Sequence, residues 1–283
     1  MAKASMSHMN THLPLPNRSS SFLQFKHFTP CLSFPNPNQN PNQNQKPLRL
    51  STPNCTVPPS VAASDSPLTV TRKAADVYPE LKGTSIFLLG MKSSLKISLG
   101  NRLAEALRYY YFDSDSLVEE AAGGASAAKS FRESDEKGLS ECETEVLKQL
   151  SSMGRLVVCV GNGAVQSSTN LALLRHGISL WIDVPLDIVA RDVIEDRNQY
   201  ASLEISVSGS YPEVKDELGV LYDKYRDGYA TADATISVQK LASRLGCDNL
   251  DEITGEDMTL EALKEIEKLT RVKKMMEDAA RPF

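Results

Sequence analysis

From residue 83 onward, short apolar runs alternate with stretches whose apolar residues recur every three or four positions. The run TSIFLLG at 84–90 is bounded by glycine and predicts a buried strand. Four further strands are predicted at 109–113 (YYYFD), 155–161 (RLVVCVG), 178–184 (ISLWIDV) and 234–238 (ATISV). Residues 98–109, 141–153 and 212–229 predict helices. The first places Leu99, Leu103, Ala106 and Leu107 on one face, and the last does the same with Val214, Leu218, Leu221, Tyr222, Tyr225 and Tyr229. A C-terminal helix is predicted at about 260–280 after a polar connection. Uninterrupted apolar strands alternating with helices predict an α/β fold whose parallel sheet is covered on both faces. Ligands in such sheets bind beyond the carboxyl ends of the strands, so the residues just after each strand carry the interest.

The first 64 residues follow no such pattern. They contain no Asp or Glu, five basic residues (Lys3, Arg18, Lys26, Lys46 and Arg49), and ten of the chain's 15 prolines. The stretch PNPNQNPNQNQKP at 35–47 is of low complexity, and a segment so poor in apolar residues cannot support a core. A basic, Ser-rich, acid-free leader is the composition of an organellar transit peptide. No apolar block suits a secretory signal, and no Arg-rich amphipathic helix suits a mitochondrial one, so residues 1–64 are expected to be a disordered chloroplast transit peptide. Processing is expected near Val61 to Ser64, and a plain disordered arm is the alternative. Residues 65–82 are then expected as a linker, 83–240 as the catalytic-type domain and 241–283 as a helical extension.

Removing the leader changes the charge. The whole chain carries a net −5, whereas residues 65–283 keep 26 basic and 36 acidic residues, a net −10. That acidity argues against a nucleic-acid partner. No run of 18 apolar residues predicts a membrane span. The five cysteines, Cys31, Cys55, Cys142, Cys159 and Cys247, form no close pair and predict neither a zinc site nor a disulfide framework.

The first strand is followed by GMKSSLKIS at 90–98, in the position of a phosphate-binding loop, G-x-x-x-x-G-K-[ST]. Gly90 and Lys96 hold the first glycine and the lysine, and Ser94 adds a hydroxyl between them. Leu95 stands where the second glycine lets the backbone approach phosphate. Ile97 stands where a hydroxyl would ligate Mg2+. Ser98, one residue on, is rotated about 100 degrees away on a helix. Alone, this loop reads better as a strand-to-helix turn with an exposed Lys96 than as a phosphate loop.

The order of FDSDSLVEE from Phe112, ETEVLKQL from Glu143, VVCVGNGAV from Val157, WIDVPLDIVARDV from Trp181 and GYATADATI from Gly228 changes this picture. With the loop at Gly90, the series resembles the shikimate kinase family over about 155 residues. The resemblance implies a three-layer P-loop kinase fold of the nucleoside-monophosphate-kinase type. It makes Gly90, Ser94 and Lys96 the vestige of the phosphate loop, and Asp113, Asp115, Gly161 and Gly163 the vestige of the substrate site. It also implies losses. Ser140 stands at the post of the arginine that grips the substrate carboxylate, and a hydroxyl offers no charged fork. Asn162 interrupts the family's three glycines. Ala201-Ser202-Leu203 replaces the Arg-Pro-Leu of the lid, with Arg197 four residues early. Tyr225 takes the place of a helix arginine, with Arg226 one position off.

No catalytic or metal-ligating residue is therefore assigned, and no cofactor is expected. The resemblance extends to plant chloroplast members considered catalytically inactive and implies a stromal role in chloroplast biogenesis, with an unidentified protein or small molecule as partner. The alternatives are an active shikimate kinase using MgATP in a rearranged site, or a nucleotide-binding switch. His176 is expected to be structural or solvated rather than a catalytic base. Residues 260–276 are expected to pack on their own domain, with a partner helix as the alternative.

Overall fold

The computed structural model describes residues 66–197, 199, 200, 203, 205 and 209–280, so the expected transit peptide lies outside the described residues. Five strands form one sheet: β1 (Ile86–Leu89), β2 (Tyr110–Asp113), β3 (Leu156–Cys159), β4 (Ile178–Asp183) and β5 (Ala234–Ser237). The order is β2-β3-β1-β4-β5, and every pairing is parallel. Ile86 pairs with Val157 on one side and Ile178 on the other. β1 and β3 are buried at every position, which is why they read as uninterrupted apolar runs.

Ten helices connect and cover the strands among the described residues: α1 (Ser66–Leu81), α2 (Ser94–Leu107), α3 (Ser114–Ala121), α4 (Ala125–Ser134), α5 (Glu136–Ser152), α6 (Ser168–Leu174), α7 (Leu186–Glu195), α8 (Tyr211–Tyr229), α9 (Val238–Leu245) and α10 (Gly255–Ala279). The five predicted strands and four predicted helices are all present. The core joins the strands to Leu99, Leu103 and Leu107 of α2, Val189 and Val193 of α7, and Leu218 of α8. No described helix is long and apolar enough to cross a membrane.

The structure departs from the expected linker at 65–82. Helix α1 occupies it, burying Ala74, Val77 and Leu81 on one stripe. The partner surface comes from α10, where Met258, Ala262, Leu263 and Ile266 are buried. Lys73 pairs with Glu267, and Lys274 with Glu80 at 3.2 Å, so the two helices are also joined by charge. A stripe this short gains its reason to be helical mainly from a partner almost 200 residues away, which no local window contains. The boundary expected at 240 falls inside α9. α10 packs on α1 and α2, as expected for a helix held by its own domain.

Candidate functional site

The loop between β1 and α2 begins at Gly90, whose φ of +113° suits glycine, and a Cβ there would come within 2.3 Å of the Ile182 carbonyl oxygen. Ser93 caps α2, its Oγ accepting from the Lys96 N–H at 3.2 Å. The helix thus starts four residues before the apolar periodicity predicts, because a capping serine rather than a leucine sets its first turn.

Lys96 is not exposed, contrary to the strand-to-helix-turn reading of the loop. It is 2% exposed, and its Nζ donates to the Gly90 carbonyl at 2.6 Å and the Val160 carbonyl at 3.0 Å. Burial pushes its ammonium below the ordinary lysine range, against the pull of Cys159, Asp115 and Asp113. Its side chain ties the end of β3 to the start of the loop.

A second lysine of the loop is held by carboxylates. Lys92 is buried within the loop, with its Nζ 3.7 Å from Asp113 Oδ2 and 4.0 Å from Asp115 Oδ2. Asp113 also caps α3, its Oδ1 accepting from the Asp115 N–H at 3.0 Å. Loss of water raises the Asp115 carboxyl above its usual range, and Lys92 opposes that shift. Ser114, between them, accepts from the Gly161 N–H at 2.9 Å, joining the ends of β2 and β3. Gly161 lies so close to Asp115 that a Cβ would fall 1.8 Å from Oδ1.

Beside this pair lies a cavity of about 120 Å³. Asp115, Glu136 and Glu143 bring carboxylates to it, and Arg132 of α4 brings a guanidinium. Gly163, Ser140, Tyr225 and Leu203 also line it. Two of the positions singled out as lost arginines, Ser140 and Tyr225, thus share one space, and their replacements carry no charge. Arg226 is exposed on a different face of α8 from the buried Tyr225. Arg197 is exposed past the end of α7 and does not reach the cavity wall. Ala201 and Ser202 lie outside the described residues.

Asn162 has a definite partner: its Oδ1 accepts from the Tyr229 hydroxyl at 2.8 Å. The Tyr229 ring packs 6.0 Å from Trp181, so the interrupted glycine run is fastened to α8.

Ser94, the first residue of α2, donates through its N–H at 2.7 Å and its Oγ at 2.9 Å to the carboxylate of Asp192 on α7. Sequence reasoning missed Lys92, Arg132, Glu143 and Asp192. Lys92 alone had a local signal, a second lysine inside the loop ahead of an aspartate pair.

The residues do not fit a magnesium ion of the kind the loop pattern implies. Ile97 offers no oxygen, and an ammonium stands at the aspartate pair. Among the described residues, no three or more His, Cys, Asp or Glu side chains gather to hold a metal.

A parallel sheet in this strand order, with a capped loop after β1 and an aspartate pair after β2, defines a P-loop kinase fold. The profile described as shikimate kinase matches residues 92–249. A protein of Arabidopsis thaliana named "Probable inactive shikimate kinase like 1, chloroplastic" is 59% identical over 224 residues, covering 79% of this chain and 77% of the relative. "Shikimate kinase 3, chloroplastic" of Oryza sativa subsp. japonica is 38% identical, over 76% of this chain and 75% of the relative. The solved shikimate kinase from Acinetobacter baumannii in complex with shikimate superposes with a TM-score of 0.54 at 22% identity, covering 68% of this chain and 97% of that one, which is a likeness of fold. The chain belongs to the shikimate kinase family.

Proposed function

We propose that this family member is catalytically inert and acts in the chloroplast stroma by binding, in a role in chloroplast biogenesis. The observation that carries the reading is the pair of lysines in the loop. Lys96 is spent on two backbone carbonyls, and Lys92 is spent on Asp113 and Asp115. A phosphoryl transfer needs cations aimed at the transferring group, because positioning and charge stabilisation do almost all the work. Here the cations face inward, the metal-binding hydroxyl is Ile97, and the carboxylate-gripping post is Ser140.

In this reading Gly90, Ser94 and Lys96 keep the loop's shape without its ligand. Asp115 and Gly163 keep the wall of the cavity, and Asp113 and Gly161 adjoin Asp115 behind it. A relative of 59% identity carries an inactive designation, and plant relatives carry a chloroplast one, which supports both halves of the proposal. The stromal partner, protein or small molecule, is unidentified.

The alternative is an active enzyme, favoured by one observation: Arg132 brings a guanidinium to the cavity that lacks one at residue 140. Complementation of a bacterium lacking shikimate kinase activity separates the two. A well-expressed chain that fails to rescue growth and does not turn over shikimate with MgATP supports inertness; turnover of about 1–100 per second overturns it. A fluorescent fusion of residues 1–64 tests location, and a signal confined to the cytosol overturns the chloroplast assignment.

A further inference from the structure

We propose that Asp192 is a tethered anion that holds the phosphate post of the loop and excludes phosphate-bearing ligands from it. This rests on the inert-kinase reading above and gives it a specific agent.

The N–H groups of a helix's first turn have no partner within the helix and are natural donors to an anion. In α2 two of these donors, the N–H groups of Ser94 and Lys96, are already committed to side chains. The Ser94 N–H and hydroxyl both go to the Asp192 carboxylate, at 2.7 and 2.9 Å. The Lys96 N–H goes to Ser93 Oγ. The lysine ammonium that would draw in an anion points instead at the Gly90 and Val160 carbonyls. Asp192 is well placed for its part, because it immediately precedes Val193, which is buried against the sheet, so α7 presents the carboxylate to the loop.

An independent observation points the same way. The cleft beside Ser94, of about 220 Å³, is lined by Asp192, Glu195 and Asp251 against one guanidinium, Arg191. That guanidinium is held bidentately by Asp251, at 2.7 and 3.1 Å. A phosphate approaching the loop therefore meets carboxylates on the wall and a carboxylate already seated on the donors. Like charges in a cleft raise the cost of entry, and the effect falls with added salt.

The test uses the full chain and inorganic pyrophosphate as probe. Asp192→Ala and Asp192→Asn are compared with wild type by calorimetry at low salt, after circular dichroism confirms folding. The proposal expects at least about tenfold tighter pyrophosphate binding in Asp192→Ala, weakened by salt. Equal affinity in wild type and variant overturns it. Should the variants fail to fold, the wild type alone decides through its Ser94 amide resonance. A resonance unmoved by pyrophosphate supports a post held by Asp192, and a saturable shift overturns it. A wild type that binds pyrophosphate as tightly as Asp192→Ala yet turns over no shikimate sinks this inference alone. A wild type that phosphorylates shikimate sinks the inert-kinase reading on which it rests.

Discussion

The Lys92 ammonium faces Asp113 across 3.7 Å, and both side chains are largely withdrawn from water, at 9% and 18% exposure. The loop after β1 and the aspartate turn after β2 are therefore joined by a pair internal to the chain. In a working phosphoryl-transfer site, such a carboxylate would be free to serve a metal or substrate.

Replacing this lysine by methionine keeps the stem and removes the charge. Lys92→Met is expected to lower stability by about 1–3 kcal/mol, since two carboxylates are left facing each other with little water. It is also expected to make the protein responsive to magnesium. The melting temperature should rise with added MgCl2 in the variant and not in wild type. An identical magnesium response in both would reject the idea that Lys92 fills a cation's place.

Asp115 gives a pH dependence. Its carboxyl is raised in the folded protein, chiefly by loss of water. The stability tied to its neutral form is therefore complete below the ordinary carboxylate range and is lost as pH climbs through the raised native value. Asp115→Asn, which stays neutral, should gain stability relative to wild type between about pH 3 and about pH 7. Urea denaturation at the two ends of that range checks the sign; a difference that is flat or shrinks with pH contradicts it.

Gly161→Ala places a methyl 1.8 Å from an Asp115 oxygen. The carboxylate must move, and with it the contact to Lys92. A loss of about 1–3 kcal/mol is expected, the scale of overpacking in a full interior. Asp115→Ser in the same background should recover part of it, because the shorter side chain vacates the clash. Thermal melts of the single and double variants measure the recovery.

Ile266 is wholly buried on α10. Ile266→Ala is expected to cost about 2–5 kcal/mol, the range for large-to-small changes in a core. A change within about 0.5 kcal/mol, the scale of surface substitutions, would show that α10 adds nothing to the domain.

The five strands were legible because buried parallel strands are written as unbroken apolar runs, such as Ile86–Leu89 and Leu156–Cys159. The last helix was legible from Leu260, Leu263 and Ile266 at helical spacing. α1 was not, because Ala74, Val77 and Leu81 make a modest stripe whose meaning depends on α10. At the site, Asp115, Ser140, Gly163 and Tyr225, which share the cavity, were expected only through the family resemblance and not from any local pattern. The inward turn of Lys96, the approach of Lys92 to the aspartates and the seating of Asp192 on Ser94 were expected from neither. Each is a contact between distant elements, set by a rotamer and a helix position that no spacing rule encodes.

The pairing of α1 with α10 also bears on how the domain is assembled. The first helix of the described fold finds most of its partner surface only when the last 25-residue helix exists, so synthesis from the amino end leaves much of an apolar stripe uncovered until that helix has emerged. Late closure of this kind makes the C-terminal segment a latch: a product cut short before Gly255 would carry an open seam for quality-control proteases to grip.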